Sequence, residues 1–212
     1  MSKHVIFDLD GTLIDSAPSI LNSLNSALST NKISSVLPLT SDIIGPPLDA
    51  TLRKVTGIQD QEIIDRLLES FKSAYDSDGY KGAIVHDGVP EMLEALLQAG
   101  IKLYLATNKR IVPTRKILNY FSLDPYFSSI YTLDVGVVRF KSKSDMLAAI
   151  LKKEGLNNFD SYYVGDINAD YEAAKYSGIN FIYAQWGYEN AGNYQYPIEA
   201  LDIRDLVQKL LH

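Results

Sequence analysis

The chain has 212 residues, 46% hydrophobic and 22% charged, with a formal net charge of −6 and no cysteine. That length suits one large domain, or one domain carrying an insert, and it buries a core without staples. The acidic balance argues against nucleic acid as a partner, the missing thiols exclude disulfides and cysteine-ligated metals, and no apolar run is long enough to cross a bilayer.

In chain order, Val5-Ile6-Phe7 is a continuous apolar run, the pattern of a strand buried on both faces. It is too short for a secretory leader, so a cytoplasmic protein is expected. Residues 16–85 then show no convincing strand. Ser19–Leu28, Leu48–Val55 and Gln61–Tyr75 read as helices, separated by a Ser/Thr/Pro-rich stretch and Gly45-Pro46-Pro47. The Ser29–Thr40 run is expected to be a mobile loop of this insert. Arg53 is a candidate substrate contact there, or a surface arginine. From residue 86 onward helices and strands alternate. Helices are expected at Pro90–Ala99, Pro113–Tyr120, Ser144–Glu154, Ala169–Ser177 and Asp202–Leu211, and strands at Ile101–Ala106, Ser129–Thr132, Tyr162–Val164 and Phe181–Ala184. This alternation predicts an α/β fold: a Rossmann-like parallel sheet with helices on both faces, formed by residues 1–15 and 86–212. A small all-helical insert, residues 16–85, follows strand one. Hinges are expected near Asp15-Ser16 and His86-Asp87.

Ligands of such sheets sit beyond the carboxyl ends of the strands. That rule selects Asp8, Thr107 and Asp166. Asp8-Leu9-Asp10-Gly11-Thr12 follows the first strand, and such a pentapeptide arises by chance roughly twice in a thousand chains of this length. Both carboxylates can face one cleft if the chain turns at Gly11; the alternative is a simple turn with Thr12 capping a helix. Gly165-Asp166-Ile167-Asn168-Ala169-Asp170 brings further carboxylates to the same edge. Clustered carboxylates repel unless a cation neutralises them, and hard oxygen ligands suit Mg²⁺. Alternatively, Asn168 or Asp170 caps the next helix. Thr107-Asn108-Lys109 offers a hydroxyl and backbone N–H groups for a phosphoryl oxygen, and Asn108 is grouped with Thr12 as substrate-binding. In Lys141-Ser142-Lys143-Ser144-Asp145 a lysine could neutralise the phosphoryl group and the nucleophile; the alternative is a solvated lysine pair before an N-cap Ser144, and one of the two is expected to be solvated. His4, His86 and His212 lack metal-ligand spacing. The Tyr-rich stretch Tyr183–Tyr196 is expected to be a loop near the mouth of the site.

These four blocks, in the chain order Asp8–Thr12, Thr107, Lys141/Lys143 and Gly165–Asp170, resemble the haloacid dehalogenase superfamily, and within it the phosphoglycolate-phosphatase-like branch. Gly45-Pro46-Pro47-Leu48, Gly88-Val89 and Trp186-Gly187-Tyr188 are similar to that branch as well. The resemblance implies a phosphatase that hydrolyses a small phosphorylated metabolite, with the insert as a cap. It implies Asp8 as nucleophile and Asp10 as general acid and base. Thr107 would bind a phosphoryl oxygen. Lys143, favoured over Lys141 because it abuts the helix start, would be the charge-neutralising lysine. It further implies Mg²⁺ held by Asp8, the backbone carbonyl of Asp10, and Asp166, with Asp170 in support. A phosphomutase on the same scaffold and a non-catalytic phosphate-binding regulator are the alternatives. A monomer or weak homodimer is expected.

Overall fold

A computed structural model describes residues 3–134, 140–189 and 194–212. The chain divides into two compact units, Met1–Asp15 with Val85–His212, and Ser16–Ile84. The first unit begins with β1 (His4–Phe7) and the two-residue β2 (Ile14–Asp15).

The second unit holds α1 (Ala17–Thr30), α2 (Leu48–Thr56) and α3 (Gln61–Ser77). Asp60 caps α3 by accepting the Ile63 N–H at 3.1 Å, and Gly57 ends α2 in the left-handed conformation at φ 70°. Leu24, Ala27 and Leu28 of α1 and Ile64, Leu67, Phe71 and Tyr75 of α3 are buried, and the two helices pack together. Asn31 ties them by donating to Ser70 at 2.8 Å. The segment after α1, expected to be a mobile loop, is fastened to the end of α2. There Val36 N–H and the Ser35 hydroxyl both donate to the Val55 carbonyl, at 2.8 and 3.0 Å. Arg53 also stays local, donating to Gln59 and Gln61.

The chain returns through β3 (Ile84–Val85), a short strand that sequence reading did not find, which pairs with β2. There follow α4 (Val89–Gln98), β4 (Lys102–Thr107), α5 (Ile111–Tyr120), β5 (Ser129–Thr132) and α6 (Lys143–Glu154). The chain ends with β6 (Ser161–Gly165), α7 (Asn168–Ser177), β7 (Asn180–Ala184), β8 (Glu199–Ala200) and α8 (Ile203–Leu211). The strand β8 was also missed, because two residues carry no readable period.

The main sheet is parallel, in the order β5-β4-β1-β6-β7-β8. Period-two alternation sends Ile6, Tyr104, Ala106 and Tyr163 to one face, where α6 and α7 supply Met146, Leu147, Ile150, Ala173 and Ala174. Val5, Phe7, Leu103 and Leu105 point to the other face and are fully buried. On the other side α4 packs against β4 and α8. Each fully buried Leu or Ile here stabilises by about 1.5–3 kcal/mol. The sheet is therefore covered on both faces, as the alternation predicts. The chain passes from β1 to β4 and β5 on one side and then crosses back to β6 on the other side of β1, so the strand order reverses at β1. The crevice at that switch point lies beyond Phe7, Thr107 and Gly165. Among the described residues no helix is long and apolar enough to cross a membrane.

Candidate active site

Asp8 follows β1 directly. Its N–H still donates to Val164 of β6 at 2.9 Å, so its backbone is fixed by the sheet. The chain then turns: Leu13 N–H bonds to Leu9 at 3.0 Å, and Gly11 adopts φ 87°. Glycine is required at that turn for a second reason. A Cβ at Gly11 would lie 2.1 Å from Oδ2 of Asp166. A Cβ at Gly187 would lie equally close, 2.1 Å, to the Asp166 Cβ. Asp166 thus enters the site between two backbones that approach only because both residues lack a side chain.

Three carboxylates meet there. Asp8, Asp166 and Asp170 each offer an oxygen within 4.8 Å of the others, and all three are buried. Lys143, the first residue of α6, places Nζ 3.0 Å from Asp8 and 2.6 Å from Asp170. Lys141 is exposed. The cap of α6 is Ser142, which accepts the Asp145 N–H at 3.1 Å, and not Ser144 as the sequence suggested. Two residues of register decide this: a Ser142 cap makes Lys143 helical and aims it at the strand ends.

Asp170 is held from three sides. Its Oδ1 accepts from Lys143 and, at 3.2 Å, from the Tyr163 hydroxyl; its Oδ2 accepts the Asp166 N–H at 3.3 Å. Asp166 accepts the Tyr188 N–H at 2.8 Å and the Thr12 hydroxyl at 3.3 Å. Thr12 is fully buried. It was expected at the substrate, but its hydroxyl belongs to Asp166, while its carbonyl accepts the Trp186 indole N–H at 2.9 Å. Asn168 is no cap either: α7 starts at it, and its N–H donates to the Glu189 carboxylate.

Asp10 stands apart. Its carboxylate is not in the three-membered group; it pairs with Lys109 Nζ at 2.9 Å. Thr107, at the end of β4, is buried and accepts the Lys109 N–H at 3.2 Å. The Asn108 side-chain oxygen is buried without a hydrogen-bond partner among the described residues. Of the Tyr-rich stretch, Tyr183 and Tyr196 stack in the core at 4.4 Å between centroids, whereas Tyr188 reaches the site. Residues 190–193 of that stretch lie outside the described residues. His86 is half-buried beside Gly11, and His4 belongs to β1.

The electrostatics follow from this geometry. Burial pushes the Asp8 carboxyl up to about 7; Lys143 opposes this, and the Asp170 and Asp10 charges add to it. Burial, then Asp170 and Asp8, raise Asp166 well above the usual carboxylate range. Burial lowers Lys143, but the Asp170 and Asp8 charges outweigh it and hold the ammonium above its ordinary value. With all three carboxylates ionised, one lysine leaves two negative charges in a buried site. A hard divalent cation fits that deficit and that donor set.

The chain is similar to known proteins. A family model described as haloacid dehalogenase-like hydrolase matches residues 5–184. The tyrosine-protein kinase PtkA of Mycobacterium tuberculosis is 34% identical over 190 residues, covering 88% of this chain and 63% of that protein. The chain thus spans less than two thirds of that relative's length. A phosphoglycolate phosphatase of Aquifex aeolicus is 33% identical over 190 residues, covering 88% of this chain and 86% of that protein. The crystal structure of a predicted phosphatase from Clostridium acetobutylicum superposes with a TM-score of 0.87 at 26% identity, covering 100% of this chain and 99% of that one.

Proposed function

The chain belongs to the haloacid dehalogenase-like hydrolases, and from that premise we propose that it is a magnesium-dependent phosphatase of small phosphate monoesters, working through an aspartyl-phosphate on Asp8. The observation that carries this reading is the company Asp8 keeps. A carboxylate at the head of the central strand is buried against one lysine and two further carboxylates, while a second acid two residues away stays outside the group.

In the first step an oxygen of Asp8 attacks phosphorus, the ester P–O bond breaks, and Asp10 delivers its proton to the departing alkoxide. In the second step Asp10 takes a proton from water. That water attacks phosphorus, inorganic phosphate leaves, and the Asp8 carboxylate is regenerated. Lys143 offsets charge on Asp8 and the phosphoryl group throughout. Thr107, at the end of β4, and Asn108, whose side-chain oxygen has no hydrogen-bond partner among the described residues, are the candidate substrate contacts. Asp8, Asp166 and the Asp10 carbonyl would hold Mg²⁺, which supplies the positive charge that the buried carboxylates lack. Asp170, engaged by Lys143, Tyr163 and the Asp166 backbone, acts through those groups.

The name of the phosphoglycolate phosphatase relative supports a phosphoglycolate-like acid or a sugar phosphate as substrate, and we take the protein to work in the cytoplasm with the helical unit as the family cap. The decisive experiment is hydrolysis of p-nitrophenyl phosphate with Mg²⁺. Turnover is expected in the wild type, none in Asp8→Asn, and a hydroxylamine-labile phosphoenzyme should be trapped in the wild type alone. Full activity in Asp8→Asn would sink the proposal. A phosphate-release screen over a metabolite panel then identifies the ester, and retention of phosphate on the sugar would indicate a mutase instead.

A further inference from the structure

We propose that Lys109 is the positioning residue for the general acid: it holds the Asp10 carboxylate away from the metal-binding carboxylates and on the side where the leaving group departs. This rests on the phosphatase reading above and assigns a residue that reading does not use.

Asp8 and Asp10 are two residues apart and of one chemical type. Charge alone would draw both into the cation site, yet only Asp8 joins Asp166 and Asp170. Lys109 is the cation placed to cause that separation. Its Nζ lies 2.9 Å from Asp10 Oδ1, with both side chains largely withdrawn from water, 8% and 18% exposed. At such a site solvent screens the pair weakly. The lysine is also delivered with little freedom. β1 and β4 are hydrogen-bonded neighbours in parallel register, with Phe7 beside Leu105, so Asp10 and Lys109 leave the same edge a few residues later. The Thr107 hydroxyl accepts the Lys109 N–H at 3.2 Å and fixes the turn between them.

The test reads leaving-group dependence, which a purely structural role would not change. A nitrophenolate departs without a proton, whereas an alkoxide needs one. In the full-length protein with Mg²⁺, Lys109→Met is expected to lower kcat on an alkyl phosphate by roughly 30- to 100-fold, and on p-nitrophenyl phosphate by about threefold or less. Lys109→Arg should recover most of the alkyl rate. In an Asp10→Ala background, Lys109→Met should add less than about threefold on either ester, because the acid it positions is gone. If Lys109→Met fails to fold, Lys109→Gln is read in its place. Equal losses on both esters, or losses that add to those of Asp10→Ala, would overturn the assignment while leaving the phosphatase reading intact. Turnover that survives Asp8→Asn overturns both.

Discussion

Raising the pH of the metal-free protein from 5 to 8 should destabilise it through Asp8. In the folded chain this carboxyl titrates at about 7, against an ordinary value of 3.8. The unfolded chain therefore gives up the proton by pH 5, while the folded chain keeps it until about pH 7. Across that window the folded state binds more protons, so stability falls as pH rises, by about 1.4 kcal/mol per unit. Between pH 5 and 7 the loss from Asp8 is about 2 kcal/mol, and above pH 8 it levels off. Asp166 is raised by the same burial and acts in the same sense. His4 and His86, whose pKa values burial lowers, act in the opposite sense. The clean quantity is thus the difference between wild type and Asp8→Asn. Urea unfolding followed by the fluorescence of Trp186, the single tryptophan, measures it in chelator at each pH. Wild type should lose about 3 kcal/mol relative to Asp8→Asn between pH 5 and 8. Magnesium at one hundred times its dissociation constant should return about 2.7 kcal/mol at pH 8 and much less at pH 5, where protons compete. A wild-type protein that gains on Asp8→Asn as pH rises, or is indifferent to Mg²⁺ at pH 8, would refute the account of a charge-deficient buried site.

Lys143→Met should cost about 3–5 kcal/mol of stability at pH 8 and roughly 10²–10³ in kcat, whereas exposed Lys141→Met should stay within about 0.5 kcal/mol in the same thermal and kinetic assays. Gly187→Ala should push Asp166 aside. We expect roughly tenfold weaker Mg²⁺ binding by calorimetry and about 1–3 kcal/mol of destabilisation, since its Cβ would sit 2.1 Å from that of Asp166. Ser142→Ala removes the cap of the helix that begins with Lys143, and should lower stability by about 1 kcal/mol on urea unfolding, with a smaller loss of activity than Lys143→Met.

The long elements were legible because burial wrote period into them. β1 carries the apolar run Val5-Ile6-Phe7 because both of its faces are covered, and β5 at Ser129–Thr132 was located to the residue. What failed to show were short elements and contacts between distant segments. Two-residue strands such as β2, β3 and β8 have no period to read. The alternatives for Asp8, Asp10 and Lys143 could be stated from sequence, but the choice of Ser142 over Ser144 as cap depends on where α6 meets the sheet. Thr12 carries a short polar side chain beside a catalytic motif, so local reading sends it to the substrate. Only the approach of Asp166, 154 positions later, claims its hydroxyl. Trp186-Gly187-Tyr188 was noticed through a resemblance, and the physical reason is three contacts: an indole on Thr12, a missing Cβ, and an N–H on Asp166.

In the mechanism we propose, the chemistry turns on the separation of Asp8 from Asp10. A nucleophile must be ionised and beside positive charge, whereas an acid must hold a proton until the bond breaks. Two carboxyl groups at i and i+2 leave a strand end in nearly the same direction, so sequence alone gives them one environment. The fold gives them two. Asp8 shares Lys143 with Asp170 and lies in reach of Asp166. The turn at Gly11 carries Asp10 toward β4, where Lys109 receives it. Bringing Asp10 into the carboxylate group would put a fourth negative charge beside one lysine and leave no acid for the alkoxide. On that reading the turn between Asp8 and Leu13 is as much a part of the reaction as the carboxylates it divides, and it passes close to Asp166 because Gly11 lacks the Cβ that would lie 2.1 Å from the Asp166 Oδ2.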